Sequence, residues 1–214
     1  MDPMSKNDIS EFFSRHILGW MCNDIEKCIK VGANFAVAAL LMSYTENIGA
    51  FIAGHLGLEG TSEGDFKEFL GYFEFKGNSN YYFDFKIRYQ ESNSSGVKEV
   101  DIYKAFRCGL IHEYAPKIPC AIENHSEKID HFSADDAGIG WVTPDVFPDA
   151  HRSSGYIRPQ EGKPFLRFHT NAYFRDFKNA LHKVQEKIFA QNDHLLTNNS
   201  KTSLDRVLGR KIVR

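Results

Sequence analysis

Tyr103-Lys-Ala-Phe-Arg107-Cys108-Gly-Leu-Ile-His112-Glu113-Tyr114 sets an arginine and a histidine five residues apart on one expected helix. Arginine carries a permanent charge and a planar fork of donors that matches phosphate oxygens, while histidine takes or gives a proton near neutral pH. An ideal helix turns about 100° per residue, which places Arg107 and His112 about 140° apart rather than on one face. Tyr103, Phe106, Leu110 and Tyr114 form the apolar stripe; Arg107 falls inside it and His112 nearly opposite. Arg107 is therefore expected to point into packed structure, where a guanidinium needs a carboxylate or other hydrogen-bonding partners.

Glu46, midway along the apolar segment Val31 to Leu58, is the obvious partner. Two arrangements stay open. Arg107 and Glu46 join two helices as an internal pair while His112 is merely solvated, or Arg107 and His112 face a cleft whose second wall comes from a symmetric copy of the chain.

The flanking sequence reads as helices. From Ile9 the apolar residues fall at Phe13, Ile17, Trp20, Met21, Ile25, Cys28 and Ile29, a spacing that predicts a helix over about 8–30. Gly32 interrupts, Asn34 can cap, and a second helix is expected over about 34–55. Glu46 and Asn47 in its middle, and a purely apolar part shorter than the ~20 residues of a bilayer span, argue for a buried bundle helix and against a membrane segment. Ser62 can cap a third helix holding Phe66, Phe69, Leu70 and Phe73.

Tyr81, Phe83, Phe85, Ile87 and Tyr89 alternate with Tyr82, Asp84, Lys86, Arg88 and Gln90, a period of two that predicts a strand with the first set on its buried face. Asp101 can cap the Arg107 helix, which Pro116 and Pro119 stop. Residues 117–163 are rich in glycine and proline and predict at most short strands, with candidates at Ala121–Asn124 and Phe165–His169. Asn171 is expected to cap an amphipathic helix through Phe174, Phe177, Leu181, Val184 and Ile188. The fold class is mainly α: a helical bundle in one domain, residues 1–214, with small β-containing insertions at about 77–100 and 117–168 and a basic tail at 195–214.

With Lys plus Arg at 26 against 28 for Asp plus Glu, the net charge of −2 gives no overall attraction for nucleic acid, so any RNA contact must be local. The N-terminal residues lack the apolar core of a secretory signal and the four cysteines show no tight pairing, so a reducing cytoplasm is expected. Cys108-x3-His112 and His125-x5-His131 lack the paired spacing of a zinc site, and the acidic patch of His131 with Asp130, Asp135 and Asp136 reads as a solvated loop. No P-loop, dinucleotide turn, His-Glu-x-x-His or nucleophile elbow occurs, and no cofactor is expected. In the tail, Lys201, Arg206, Arg210, Lys211 and Arg214 interleave with Leu204, Val207, Leu208, Ile212 and Val213, which suits a helix docked on its own protein better than a cationic arm.

The run Tyr103 to Lys117 resembles the signature of the HEPN superfamily (higher eukaryotes and prokaryotes nucleotide-binding), in particular the prokaryotic branch with an Arg-Cys-Gly-Leu-x-His-x-Tyr core. Ser43-Tyr-Thr-Glu46-Asn-Ile-Gly49 and Tyr173-Phe174-x-Asp176-Phe177 resemble that branch as well, and the three pieces span about a third of the chain. The resemblance implies a four- or five-helix bundle that forms a homodimer, with Arg107 and His112 of each protomer facing a shared cleft. Catalytic members are metal-independent endoribonucleases. By resemblance, His112 acts as general base or acid on the ribose 2′-hydroxyl, Arg107 stabilises the transition-state charge, and a 2′,3′-cyclic phosphate results. Glu46, Cys108, Glu113 and Tyr114 are the supporting residues. Where catalytic relatives place a polar residue after the arginine this chain has Cys108, and relatives with altered motifs are similar modules that bind RNA or partners without cutting. The superfamily also implies a toxin–antitoxin, antiphage or stress setting, with an antitoxin-like protein partner.

Overall fold

The computed structural model describes residues 5–90, 95–113, 115–117, 120–123, 137–142, 154–155 and 165–209. Ser5 opens the first helix with a capping box: its hydroxyl accepts from Asp8 N–H and the Asp8 carboxylate accepts from Ser5 N–H. Helix α1 (Lys6–Phe12), a π-helical segment Phe13–Met21 and helix α2 (Cys22–Lys30) follow without a break, since the junction residues Phe13 and Cys22 keep right-handed helical dihedrals. A π turn closes from residue i to i+5. Cys22, five after Ile17, therefore enters the buried face, while Trp20, three after it, turns outward and is 56% exposed. The expected helix is present, but Trp20 does not belong to its apolar stripe.

Helix α3 (Asn34–Ala53) lies at the centre, packed against α2, α4 (Ser62–Leu70), α7 (Thr170–Phe189) and α8 (His194–Leu208). It is the one described helix long and apolar enough to cross a bilayer, and 56% of its most apolar window is buried inside the fold. Gly49 makes the α3–α4 crossing possible: a Cβ there would stand 1.6 Å from the Asp65 carbonyl oxygen. Helix α8 closes the other end of α3. Ser203 Oγ donates to the Phe51 carbonyl and Arg206 Nη1 to the Gly54 carbonyl at 2.6 Å, satisfying acceptors that a helix C-terminus leaves open. Leu204 is buried beside them whereas Val207 and Leu208 are exposed, so docking of this segment runs through its first turns. Residues 210–214 lie outside the described residues.

Tyr81–Asp84 forms a short helix, α5, and strand β1 starts only at Lys86 (Lys86–Gln90), which corrects the strand expected from Tyr81. Within α5 the alternation misassigned the faces, since Tyr82 is buried and Phe83 is 45% exposed; within β1 it holds, with Ile87 buried and Lys86, Arg88 and Gln90 exposed. β1 pairs antiparallel with β2 (Val97–Asp101), Ile87 opposite Val100. The Arg107 helix then begins as a π-helical turn, Tyr103–Arg107, continued by α6 (Cys108–His112), with Asp101 Oδ1 accepting from Lys104 N–H as the expected cap. Strands β3 (Ala121–Glu123), β4 (Ile139–Val142), β5 (Ser154–Gly155) and β6 (Phe165–His169) make a mixed sheet in the order β4-β6-β3-β5, with β3 and β6 parallel. Helix α7 is capped by His169, whose Nδ1 accepts from Ala172 N–H, rather than by Asn171. One contiguous cluster of buried apolar side chains runs from Ile9 to Leu204. The observed class is mainly helical with two small sheets.

Candidate functional site: an arginine held between a glutamate and a histidine

The three stretches of interest adjoin in space. Thr45, beside Glu46 on α3, meets the Tyr173 hydroxyl of α7 at 3.3 Å, and Tyr173 packs on Phe168, which packs on Phe106 next to Arg107. The chain after α6 folds back over Gly109: Ala115 N–H donates to the Gly109 carbonyl and Lys117 N–H to the Ala105 carbonyl. A Cβ at Gly109 would meet Ala115 O at 2.4 Å and Lys117 N at 2.6 Å, which gives the glycine of the Arg-Cys-Gly-Leu run a steric reason.

Arg107 sits where the apolar stripe put it. Its side chain is 14% exposed and that of Glu46 17%. Nη2 donates to Glu46 Oε1 at 2.8 Å, and Nε closes on Oε2 as a charge contact whose N–H is not aligned for a hydrogen bond. The guanidinium carbon stands 5.6 Å from the centre of the Tyr103 ring, a cation–π distance. Tyr103 packs on Phe66, and burial pushes its hydroxyl above the ordinary tyrosine range.

The helical wheel fails at one point. Arg107 Nη1 lies 2.9 Å from His112 Nε2, so one helix aims both side chains at one place. The π turn lies before Arg107, and Cys108–His112 is α-helical, so the backbone between the two residues keeps its ordinary angle and the contact is made by the side chains. The long arginine side chain crosses the remaining gap. A guanidinium only donates, so His112 accepts through Nε2 and its ring proton belongs on Nδ1. Of the five guanidinium N–H groups two are hydrogen-bonded, one to Glu46 and one to His112, leaving three, the Nε–H against Glu46 among them. His112 itself is exposed. The arrangement is a cation clamped on its inner side by a carboxylate and bordered on its outer side by a solvent-facing imidazole.

The supporting residues divide. Cys108 is half-buried against the core. Glu113 is exposed and pairs with Lys117 at 3.1 Å, away from Arg107. Tyr114 lies outside the described residues, as do His125, His131, Asp130, Asp135 and Asp136. Among the described residues no three His, Cys, Asp or Glu side chains converge as metal ligands.

The sequence reading missed a second polar cluster. Tyr82 donates to Asp176 Oδ2 and accepts from Gly138 N–H at 2.7 Å, joining α5, α7 and the residue that precedes β4. Arg175 Nε donates to Asp176 Oδ1 at 2.9 Å. Burial raises the Asp176 carboxyl above its ordinary range and, more strongly, the Tyr82 hydroxyl. Asp176 stood in one of the quoted stretches, but its partner Tyr82 had been placed on the outward face of a strand. Comparison of the chain with protein-family models, curated proteins and solved structures gives no match.

Proposed function

We propose that this is a HEPN-like protein that acts on RNA, with Arg107 and His112 as a metal-independent phosphodiester-cleaving pair. The reading rests on one observation, the 2.9 Å approach of Arg107 Nη1 to His112 Nε2 at the solvent edge of a cation already anchored by Glu46. An incoming phosphate oxygen takes the place of His112 on Nη1 and frees the Nε2 lone pair. His112 then accepts the 2′-hydroxyl proton as O2′ bonds to phosphorus. The P–O5′ bond breaks, and the protonated imidazole returns the proton to O5′, leaving a 2′,3′-cyclic phosphate. Arg107, with N–H groups already oriented, stabilises the added negative charge. Glu46 holds the guanidinium in place and is a positioning residue. The homodimer that the resemblance implies belongs to the same proposal, because a second copy would supply the opposite wall of an exposed His112, as does a toxin-like setting with a protein antitoxin.

A second reading is favoured by the ion pair itself. Arg107 and Glu46 join the Tyr103–Arg107 turn to α3 whether or not anything is cut, and Cys108 puts a half-buried thiol where a polar neighbour would serve the reaction. In that reading the protein is a non-catalytic interaction module. Single-stranded RNA incubated with purified protein in EDTA separates the two: the nuclease reading expects cyclic-phosphate ends from wild type and none from His112→Ala. Uncut RNA from wild type across varied sequences favours the module.

A further inference from the structure

A groove of about 430 Å³ lies outside the Arg107 cluster, between the segment Glu74–Gly77 and the α7 stripe Arg175, Asp176, Asn179 and Lys183. Its rim is a tight two-residue turn. Phe75 and Asn78 exchange both backbone hydrogen bonds, and the two residues between them, Lys76 (φ +50°) and Gly77 (φ +80°), are left-handed. That is the arrangement of a type I′ turn, whose first central position favours Asn because a longer side chain is strained there. A lysine stands at that position instead. Strain kept at a named residue points to a use for the residue.

The charges in the groove are unequally spent. Arg175 is matched by buried Asp176, and Lys183 binds Glu74 at 2.6 Å across the groove. Lys76 has no ion pair among the described residues, its ammonium lying 5.5 Å from the Phe75 ring, and the exposed Asn179 amide has no hydrogen-bond partner among them. Glu74 is on the surface and can swing away. Two ammonium groups, Lys76 and Lys183, then face the groove with an amide donor between the stripe positions. Three cations against the carboxylates of Glu74 and Asp176 leave the groove one positive charge in excess, and with Glu74 turned outward the two ammonium groups and the Asn179 amide offer at least three donors to one ligand.

We propose that this groove binds a phosphate monoester dianion, with Lys76 and Lys183 as its cationic contacts, Asn179 as a neutral donor, and Glu74 as the internal anion that the ligand displaces. A volume of this size accommodates a small phosphorylated molecule. A phosphate monoester turns three terminal oxygens to the three donors, whereas a diester and a carboxylate each turn two, so both match the groove less well.

Calorimetric titration of the full chain with inorganic phosphate, adenosine 5′-monophosphate, adenosine, and a single-stranded oligoribonucleotide lacking terminal phosphates tests this. The proposal expects saturable, one-to-one binding of the monophosphate, competition by inorganic phosphate, and no binding of adenosine or of the oligoribonucleotide to the groove. Lys76→Asn, which suits the turn better than lysine, is expected to keep or raise Tm while weakening the monophosphate by about tenfold, as is Lys183→Gln. Absence of monophosphate binding at millimolar ligand, binding unchanged by both substitutions, or binding of the oligoribonucleotide alone that both substitutions weaken would each overturn it.

Discussion

Arg107 and Glu46 cannot be separated without leaving a charge in a place that is five-sixths dry. Glu46→Gln is expected to cost about 3 kcal/mol in urea unfolding, the low end for breaking a buried pair because both groups keep some contact with water. The double replacement Glu46→Leu with Arg107→Met is expected to recover most of it; a single-variant loss below about 1 kcal/mol would mean the pair carries little of the fold. His112 is exposed, and His112→Ala should change stability by no more than about 0.5 kcal/mol. The cysteines offer a second check. Burial pushes the thiols of Cys22 and Cys120 up to about 11 and about 12, so alkylation near neutral pH should label the half-buried Cys28 and Cys108 first. Rapid labelling of Cys120 in native protein would contradict its burial. Asp176 gives the pH dependence. Its folded-state carboxyl holds a proton more tightly than the unfolded chain, whose ordinary value is 3.8. Its contribution to stability is present in full below that value and is lost as pH rises through the raised folded value. The Tm difference between Asp176→Asn and wild type should accordingly move in the variant's favour from about pH 4 to about pH 7. A difference independent of pH would show that Asp176 titrates normally.

The helices were legible because each long segment buries one face, and three-and-four spacing reports that directly. Other features were not. A π turn adds a residue per turn without any compositional mark, so Trp20 was read inward, and a helical wheel takes no account of side-chain length, so Arg107 was set apart from His112. The Tyr81–Asp84 turn alternates in sequence like a strand, but Tyr82 is drawn inward by Asp176 and the Gly138 amide, a long-range demand that no local window contains. Short strands β4 and β5 in the glycine- and proline-rich segment were equally invisible, since each is held by a neighbour far away in sequence. Close approaches between elements give a test that sequence could not frame. Gly49→Ala would drive a methyl group to 1.6 Å from the Asp65 carbonyl, and Gly109→Ala to 2.4 Å from that of Ala115. Both are expected to lower stability by about 3 kcal/mol or to prevent folding, with Gly49 the worse. Gly64→Ala in α4, where no atom lies within 4 Å of the added carbon, is the matched control and should be neutral or stabilising. Equal Tm for the Gly49 and Gly64 variants would mean that the α3–α4 crossing is not as close as described.

Three stretches far apart in sequence, around Glu46, Arg107 and Tyr173, meet across the centre of the bundle, and α3 is the element they share. Their order, their residue types and the pairing of Arg107 with Glu46 were readable in advance; the return of His112 to Arg107 was not, because it depends on the reach of one long side chain. In the proposed nuclease reading, the exposed imidazole beside an anchored cation is one wall of the site, and a second copy of the chain supplies the other. Sedimentation is therefore expected to give twice the chain mass. Mixing His112→Ala with Arg107→Ala protomers tests whether the walls are shared: restored cutting would mean that one intact Arg107 and one intact His112 from different copies cooperate, and no restoration would place the pair within one protomer. The most direct measurement is cleavage of single-stranded RNA in EDTA by wild type and by His112→Ala, with product ends analysed. The account predicts 2′,3′-cyclic phosphates from wild type and intact RNA from a variant of unchanged Tm; cutting that survives in His112→Ala, or intact RNA in both, would contradict it.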